Sequence, residues 1–308
     1  MVSCPICRAA LPPATLSSPD RGNATPGRFE VAICGECGAG VSLPLASAAE
    51  LGAFYPAAYG PHSELDRPLV ALISSAIRWW QGVLAWRRPP LIALRGRTPG
   101  RGLDVGAGRG DTSAMLAARG WRMTAVEPSP AAAEKICARG IDAREGVLGT
   151  VELEPAGYDF ALFQHSLEHT IDPVDDLRRA HSALRTGGLV LVTVPNFGSW
   201  QRRAFRGGWF HLDLPRHRVH FCGRALERAL RAAGFDEVVL HRSSSAVGLP
   251  ASLQYVVAGR CLFPAGLGLR IAAGLCVLTL PLTVLLDRLL GEGDTLHAVA
   301  RRPADAPR

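Results

Sequence analysis

Between Gly102 and Val194, short apolar runs alternate with stretches whose apolar residues recur at three- and four-residue steps. The runs Leu103–Val105, Arg122–Val126, Tyr158–Phe163 and Leu189–Val194 predict strands, and a further short strand is expected near Ile141. The periodic stretches Asp111–Arg119, Pro130–Arg139 and Pro173–Leu184 predict helices. Beyond them, residues 224–234 read as a helix, and Phe235–His241 and Thr295–Ala300 as strands. Strand–helix alternation of this kind predicts an α/β fold, a parallel sheet with helices on both faces. Such sheets bind ligands outside the carboxyl ends of their strands. Asp104, Glu127, Gln164 and His165 all fall at those ends.

The flanks have other patterns. Residues 1–45 hold two Cys-x-x-Cys pairs, Cys4/Cys7 and Cys34/Cys37, separated by a Pro/Ser/Gly-rich loop, Pro12–Gly27, and a strand, Arg28–Ile33. Each pair suits a tight turn with both sulfurs aimed at one point, and two such turns make a closed four-sulfur shell, the preferred setting of structural zinc. The alternative is redox cysteines or chance spacing. Residues 46–100 predict a short helix ending before Pro56 and an amphipathic helix over 68–88, where Trp79, Trp80 and Trp86 lie near Arg78, Arg87 and Arg88. That composition suits either a membrane interface or packing on the main domain. Residues 101–249 and 292–302 form the α/β core, and residues 250–291 interrupt it as an apolar helical insertion. The insertion is long enough to span a membrane. Both its ends return to one sheet, however, so an interfacial helix or shallow hairpin broken at Pro264 and Pro281 is expected instead of a crossing. A dimer interface or a greasy substrate tunnel would also use such a segment.

The chemistry is concentrated at Leu103-Asp104-Val105-Gly106-Ala107-Gly108-Arg109-Gly110-Asp111. An apolar run ends in Asp, three glycines follow at alternate positions, and a helix begins. Glycines permit left-handed angles and close approach of a ligand to the main chain, and the helix start adds free N–H groups. Dinucleotide sites read G-x-G-x-x-G; here the third glycine comes one place early, and Asp104 would disfavour a pyrophosphate and suit an ammonium group. Asp104 with Gly106, Gly108 and Gly110 resembles the first motif of class I S-adenosylmethionine-dependent methyltransferases. Val126-Glu127-Pro128-Ser129 matches the family's second motif, in which the acid accepts both ribose hydroxyls. Tyr158 to Pro173, with Leu167-Glu168-His169, and Leu184 to Asn196 resemble later segments of the same family. The likeness covers about residues 100–240. It implies a Rossmann-like seven-stranded sheet, S-adenosylmethionine as cofactor, and a cofactor site made from Asp104, Gly106, Ala107, Gly108, Gly110, Glu127, Pro128, Leu148, Gln164 and His165. Val147 stands where the family often has an acid for adenine, so apolar packing and the Leu148 N–H would serve there. No D/N-P-P-Y-type motif is present, which argues against N-methylation of nucleic-acid bases.

Methyl transfer needs alignment of the acceptor and, for an O–H or activated C–H, a base near its proton. His165, His169, His211, His217 and His220 are the candidates. His217 and Arg216 lie in Trp209–Phe221, a segment that resembles the "H-L-D-x-P-R-H-x-x-H-F" stretch of related bacterial methyltransferases and can fold over the methyl group. They are the expected acceptor contacts, and His169 is either a base or a structural cap. The order of the metal site followed by Phe54-Tyr55-Pro56 and Tyr59 resembles the N-terminal region of some sugar C-methyltransferases.

The bulk numbers change this picture little. Hydrophobic residues make up 48% of 308, and mean hydropathy is +0.13, an excess explained by residues 68–88 and the insertion. The net charge of +7 is almost all Arg, with Lys135 the single lysine, so it hints only weakly at an anionic partner. No apolar leader is visible at the start, and paired thiols suit a reducing compartment, so a cytoplasmic setting, with peripheral membrane contact, is expected. The expected acceptor is a small molecule, a sugar or a lipid-linked precursor, and nucleic acid is not. An RNA methyltransferase or a cofactor-binding scaffold without turnover are the rivals; residues 4–37 lack the basic excess that the first would need.

Overall fold

The computed structural model describes residues 2–21, 25–45, 50, 54, 89–260 and 267–304, with 267–277 described by their backbone alone. The helices expected within 46–60 and 68–88, Tyr55, Tyr59 and Pro264 lie outside the described residues.

Seven strands form the central sheet: β4 (Arg101–Val105), β5 (Arg122–Glu127), β6 (Asp142–Glu145), β7 (Tyr158–Gln164), β8 (Leu184–Pro195), β10 (Asp236–Ser243) and β11 (Thr295–Arg301). Their order is β10-β11-β8-β7-β4-β5-β6. Strands β4 to β8 run parallel, and β11 lies antiparallel between β8 and β10. The expected α/β architecture and the seven-stranded sheet are both present. The central strands read as continuous apolar runs because both faces are covered. Along β7, Ala161 and Phe163 enter one core with Leu177, Leu226 and Leu230, whereas Phe160 and Leu162 enter the other with Leu116 and Ile136. The side chains alternate with the pleat, and each face finds its own helices.

Helix α1 (Asp111–Ala117) follows β4 and α2 (Pro130–Cys137) follows β5; α3 (Pro173–Ala183) leads into β8. Two starts are capped by side chains: Ser129 accepts the Ala132 N–H, and Asp172 accepts those of Val174 and Asp175, each with proline at the next position. These devices satisfy donors that a helix start leaves open. The observed ends fall within two residues of those expected for most elements. Strand β8 is longer than expected, reaching back to Leu184.

A second sheet, absent from the sequence reading except for its middle strand, carries β1 (Leu16–Pro19), β2 (Arg28–Ile33), β3 (Gly40–Leu43) and β9 (Val219–His220) in the order β1-β2-β3-β9. Part of the expected Pro12–Gly27 loop is thus an edge strand paired with β2. The fourth strand comes from the far side of the chain, where Gly40 pairs with His220 and Val41 with Val219. Leu16 and Val31 pack there with Phe197, Trp209, Leu212 and Leu214.

After α4 (Trp200–Phe205) and α5 (Gly223–Ala232), the insertion forms α6 (Gly248–Ala258) and α7 (Leu267–Leu290). The break expected at Pro281 is not there, and α7 runs through it. Asp287 accepts a hydrogen bond from Trp200 Nε1 at 2.5 Å, which fastens α7 to α4. Among the described residues, no helix is long and apolar enough to cross a membrane.

Candidate functional site

At the end of β4 the chain turns through Gly106, Gly108 and Gly110, all left-handed, with φ of 69°, 56° and 71°. The turn is held from β5: the Gly106 N–H donates to Val126 O at 2.8 Å, and the Gly108 N–H donates to Glu127 Oε2 at 2.7 Å. The Ser129 N–H donates to the other carboxylate oxygen. Each glycine answers a different demand. A Cβ on Gly106 would stand 2.5 Å from that of Ser166, and one on Gly110 would stand 2.7 Å from Ile136. At Gly108 no atom lies within 4 Å of that position, so the bend presents bare main chain to open space.

Asp104 sits beneath the turn, 2% exposed, and accepts a 2.6 Å hydrogen bond from Ser113 of α1. Burial pushes its carboxyl up to about 6, the Ser113 hydroxyl opposes that, and the nearby Glu127 charge adds to it. Asp104 therefore ties strand to helix. Gln164 is exposed at the end of β7 and accepts from Thr112. His165 follows in a left-handed conformation, φ 54°, with its Nδ1 3.4 Å from Glu168 Oε1. Leu148 is buried in the core while Val147 is exposed. A cavity of about 320 Å³ lies between residues 148–155 and α3, with Leu148 the one expected site residue in its lining. No residue of the glycine turn lines it.

Beside that turn lies a second cluster. Glu168, His169 and His217 bring one ligand atom each within 4.8 Å of one another. The His169 and His217 rings meet edge-on, centroids 4.6 Å apart. Each ring has Nδ1 on a main-chain carbonyl, His169 on Arg216 O at 3.2 Å and His217 on His211 O at 2.9 Å. Burial holds the His217 imidazole neutral, its pKa well below the usual value, and the neighbouring His169 charge pushes the same way. Burial likewise brings His220 down to about 3; its Nε2 lies 3.0 Å from Ser42 Oγ.

Arg216, expected to touch the acceptor, is fully buried and meets two carboxylates instead. It is bidentate to Asp20 at 2.8 and 2.9 Å, and it donates to Asp213 through Nε and Nη2. The geometry makes it a positioning residue that clamps the 209–221 segment to the N-terminal sheet. Glu168, Asp213 and Asp20 are polar groups here that the sequence pattern does not mark as site residues. Only Glu168 carries a local signal, standing between Leu167 and His169 in the family-like stretch. Nothing local marks Asp20.

The four expected cysteines converge. Cys4 Sγ lies 3.6 Å from Cys37 Sγ, Cys7 Sγ lies 3.5 Å from Cys34 Sγ, and all four fall within 4.8 Å of one another. No disulfide joins them. The Cys37 carbonyl accepts from Arg224 and Cys222, so this knuckle is fastened to the start of α5.

A family model described as a methyltransferase domain matches residues 81–241. No curated protein is similar enough in sequence to match. Among solved structures, a geranyl diphosphate methyltransferase in complex with S-adenosylmethionine superposes with a TM-score of 0.51 at 18% identity, over 79% of this chain and 93% of that one. The Haemonchus contortus phosphoethanolamine N-methyltransferase 2, bound to phosphomonomethylethanolamine and S-adenosylhomocysteine, gives 0.50 at 16% identity over 73% of this chain and 53% of that one. An S-adenosylmethionine-dependent methyltransferase from Archaeoglobus fulgidus gives 0.49 at 17% identity, over 73% and 94%. At such identities the structural likeness speaks for the fold. The family model spans more than half of the sequence, and with the glycine turn and the strand order it makes this chain a methyltransferase, a member of the methyltransferase-domain family.

Proposed function

We propose that the chain transfers a methyl group from S-adenosylmethionine to an oxygen or carbon atom of a small-molecule, sugar or lipid-linked acceptor. The observation that carries this reading is the juxtaposition of the bare bend at Gly108, held by Glu127, with the His169–His217 imidazole pair at the neighbouring strand end. The residues fit the cofactor: the open position at Gly108 is a cradle that any side chain would fill, and Glu127 is an acceptor suited to a ribose diol. Gly106, Ala107, Gly108, Gly110 and Glu127 with Pro128 would hold its nucleoside and methionine parts, with Gln164 and His165 at the rim and the Leu148 main chain toward the base. Bound there, the cofactor supplies an electrophilic methyl on a good leaving group. The chain then has to orient the acceptor and take its proton. His217, held neutral by burial, and His169 are placed for this; each engages Nδ1 on a main-chain carbonyl and leaves Nε2 as the basic nitrogen. Structures of the same fold named as a geranyl diphosphate methyltransferase and a phosphoethanolamine N-methyltransferase support a small acceptor. The sugar C-methyltransferase resemblance of the N-terminal region favours a sugar.

Cys4, Cys7, Cys34 and Cys37 are proposed to hold one structural zinc. The thiols fit: zinc at about 2.3 Å from each sulfur would space them by about 3.8 Å, close to the 3.6 and 3.5 Å observed. The insertion is proposed to rest on a membrane surface through the exposed stripe Leu278, Leu282, Leu285 and Leu289.

Calorimetry with S-adenosylmethionine, followed by transfer of labelled methyl into fractionated cell extract, tests the reading. Micromolar binding and label in a small organic fraction are expected. Absence of binding, or label confined to RNA, would overturn it.

A further inference from the structure

The Glu168 carboxylate is 1% exposed, and neither of its oxygens has a hydrogen-bond partner among the described residues. His165 Nδ1 stands 3.4 Å from Oε1 without making a hydrogen bond to it. A buried carboxylate without donors is costly, so something normally satisfies it. Its two partners in the cluster are imidazoles that present lone pairs. His169 and His217 each place Nδ1 against a main-chain carbonyl, Arg216 O and His211 O, so the proton sits there and Nε2 carries a lone pair. His217 Nε2 also faces Asp213 Oδ2, at 3.8 Å. One carboxylate and two imidazoles with ligand atoms within 4.8 Å of each other, oriented through main-chain acceptors on their far nitrogens, is the arrangement of ligands around a metal, down to the outer hydrogen bonds that set the tautomer.

We propose that Glu168, His169 and His217 bind a divalent first-row transition ion, a site separate from the four-cysteine shell. Two nitrogens and one oxygen suit Mn²⁺, Fe²⁺, Co²⁺ or Zn²⁺ and leave positions open. The neighbouring residue Ser166 packs against Gly106 of the turn, where a Cβ would be 2.5 Å away, so the ion stands next to the cofactor bend. Its open positions favour an acceptor with an oxygen donor, such as a diol or a hydroxy-carbonyl. That acceptor class rests on the methyl-transfer reading; the ion site does not. A bound ion would engage the two Nε2 lone pairs, so polarising the acceptor hydroxyl at the ion, with its proton passing to solvent, would take the place of proton transfer to an imidazole.

Cobalt is the probe. The full chain, stripped of metal and reloaded with Co²⁺, is expected to take up two ions. One gives intense thiolate-to-cobalt absorption and the other only weak ligand-field bands. Glu168→Gln and His217→Gln should each keep the thiolate bands and lose the second ion, with at least a hundredfold weaker affinity for it. Retained thiolate bands and an unchanged circular dichroism spectrum show that the variants fold. Uptake of a single ion by the parent chain, or of two by both variants, overturns the site. Binding of S-adenosylhomocysteine is measured in parallel: a chain that takes the second cobalt but no nucleoside supports the ion site and sinks the methyl-transfer reading.

Discussion

Arg216 and Asp20, 196 positions apart in the chain, face each other as a bidentate pair at 2.8 and 2.9 Å, with no exposure of either side chain. Asp213 completes the clamp from the other side. The pair fixes the segment that carries His217, because Arg216 precedes it directly and the Ser42 hydroxyl donates to the His217 carbonyl at 2.6 Å. The N-terminal sheet is in this way part of the wall behind the imidazoles.

Removing the arginine leaves the buried Asp20 carboxylate without its cation, which costs about 3–5 kcal/mol. Arg216→Met should therefore lower the free energy of unfolding by that order, and Asp20→Asn, which leaves Asp213 on the guanidinium, by less. Arg216→Lys should not restore it, since an ammonium lacks the fork. Urea denaturation checks this, and a loss below about 1 kcal/mol would mean that the pair behaves as a surface contact.

The glycines of the turn separate two effects. Gly106→Ala places a methyl in contact with Ser166 at a left-handed φ, and should cost at least about 2 kcal/mol of stability. Gly108→Ala meets no neighbour and should cost about 1 kcal/mol, yet fill the cradle and weaken S-adenosylhomocysteine binding tenfold or more. Thermal unfolding and calorimetry on the two variants distinguish these outcomes; equal affinity for parent and Gly108→Ala would show that the bend does not meet the ligand.

Asp104 makes stability depend on pH. Its folded-state value of about 6 lies above that of an unfolded Asp, so the folded chain holds this proton more tightly. The stabilisation is full below about pH 4 and is lost as pH rises through 6. A rise of that size corresponds to about 3 kcal/mol. Asp104→Asn should leave stability at pH 4 nearly unchanged and raise it at pH 7.5, because the amide oxygen can still accept from Ser113. Denaturation at both pH values checks the sign. Asp176, also brought up to about 6 by burial and by the charge of Asp175, should leave a residual slope in that variant.

Loss of the four-thiolate metal should reach the imidazoles. The Cys37 carbonyl is bound by Arg224, and β3 pairs with β9 at His220. Cys37→Ser is expected to release zinc, lower the unfolding temperature and reduce methyl transfer, with nucleoside binding at the glycine turn largely kept. Intact-mass spectrometry under native conditions reads the zinc; a variant with full turnover would uncouple the module from catalysis.

The exposed leucines of α7 give the last prediction. Replacing Leu278, Leu282, Leu285 and Leu289 by Gln should abolish flotation with anionic vesicles while leaving cofactor affinity unchanged. If the parent chain does not float, the stripe serves another surface.

The strands and helices of the core were readable because each is specified by its own neighbours. Phe160 to Phe163 are apolar without alternation, as burial on both faces requires, and Ser129-Pro130 and Asp172-Pro173 announce helix starts. The small sheet was not readable in the same way. Leu16–Pro19 has little apolar content, and β9 is two residues long, so both exist because a partner strand lies alongside. The proline at 281 misled because a missing N–H in a long helix can be tolerated when the rest of the helix is held, here in part through Asp287 and Trp200.

The amino-acid sequence by itself determined the sheet, the glycine bend after Asp104, the acid at Glu127 and the two cysteine knuckles, all properties of short stretches whose backbone angles and hydrogen bonds are satisfied locally. Only the tertiary structure decided that Arg216 is a buried clamp on Asp20 and that His217 meets His169 and Glu168. Those pairings join residues tens to hundreds of positions apart, and no local periodicity or spacing encodes which distant charge or ring will fill a given cavity.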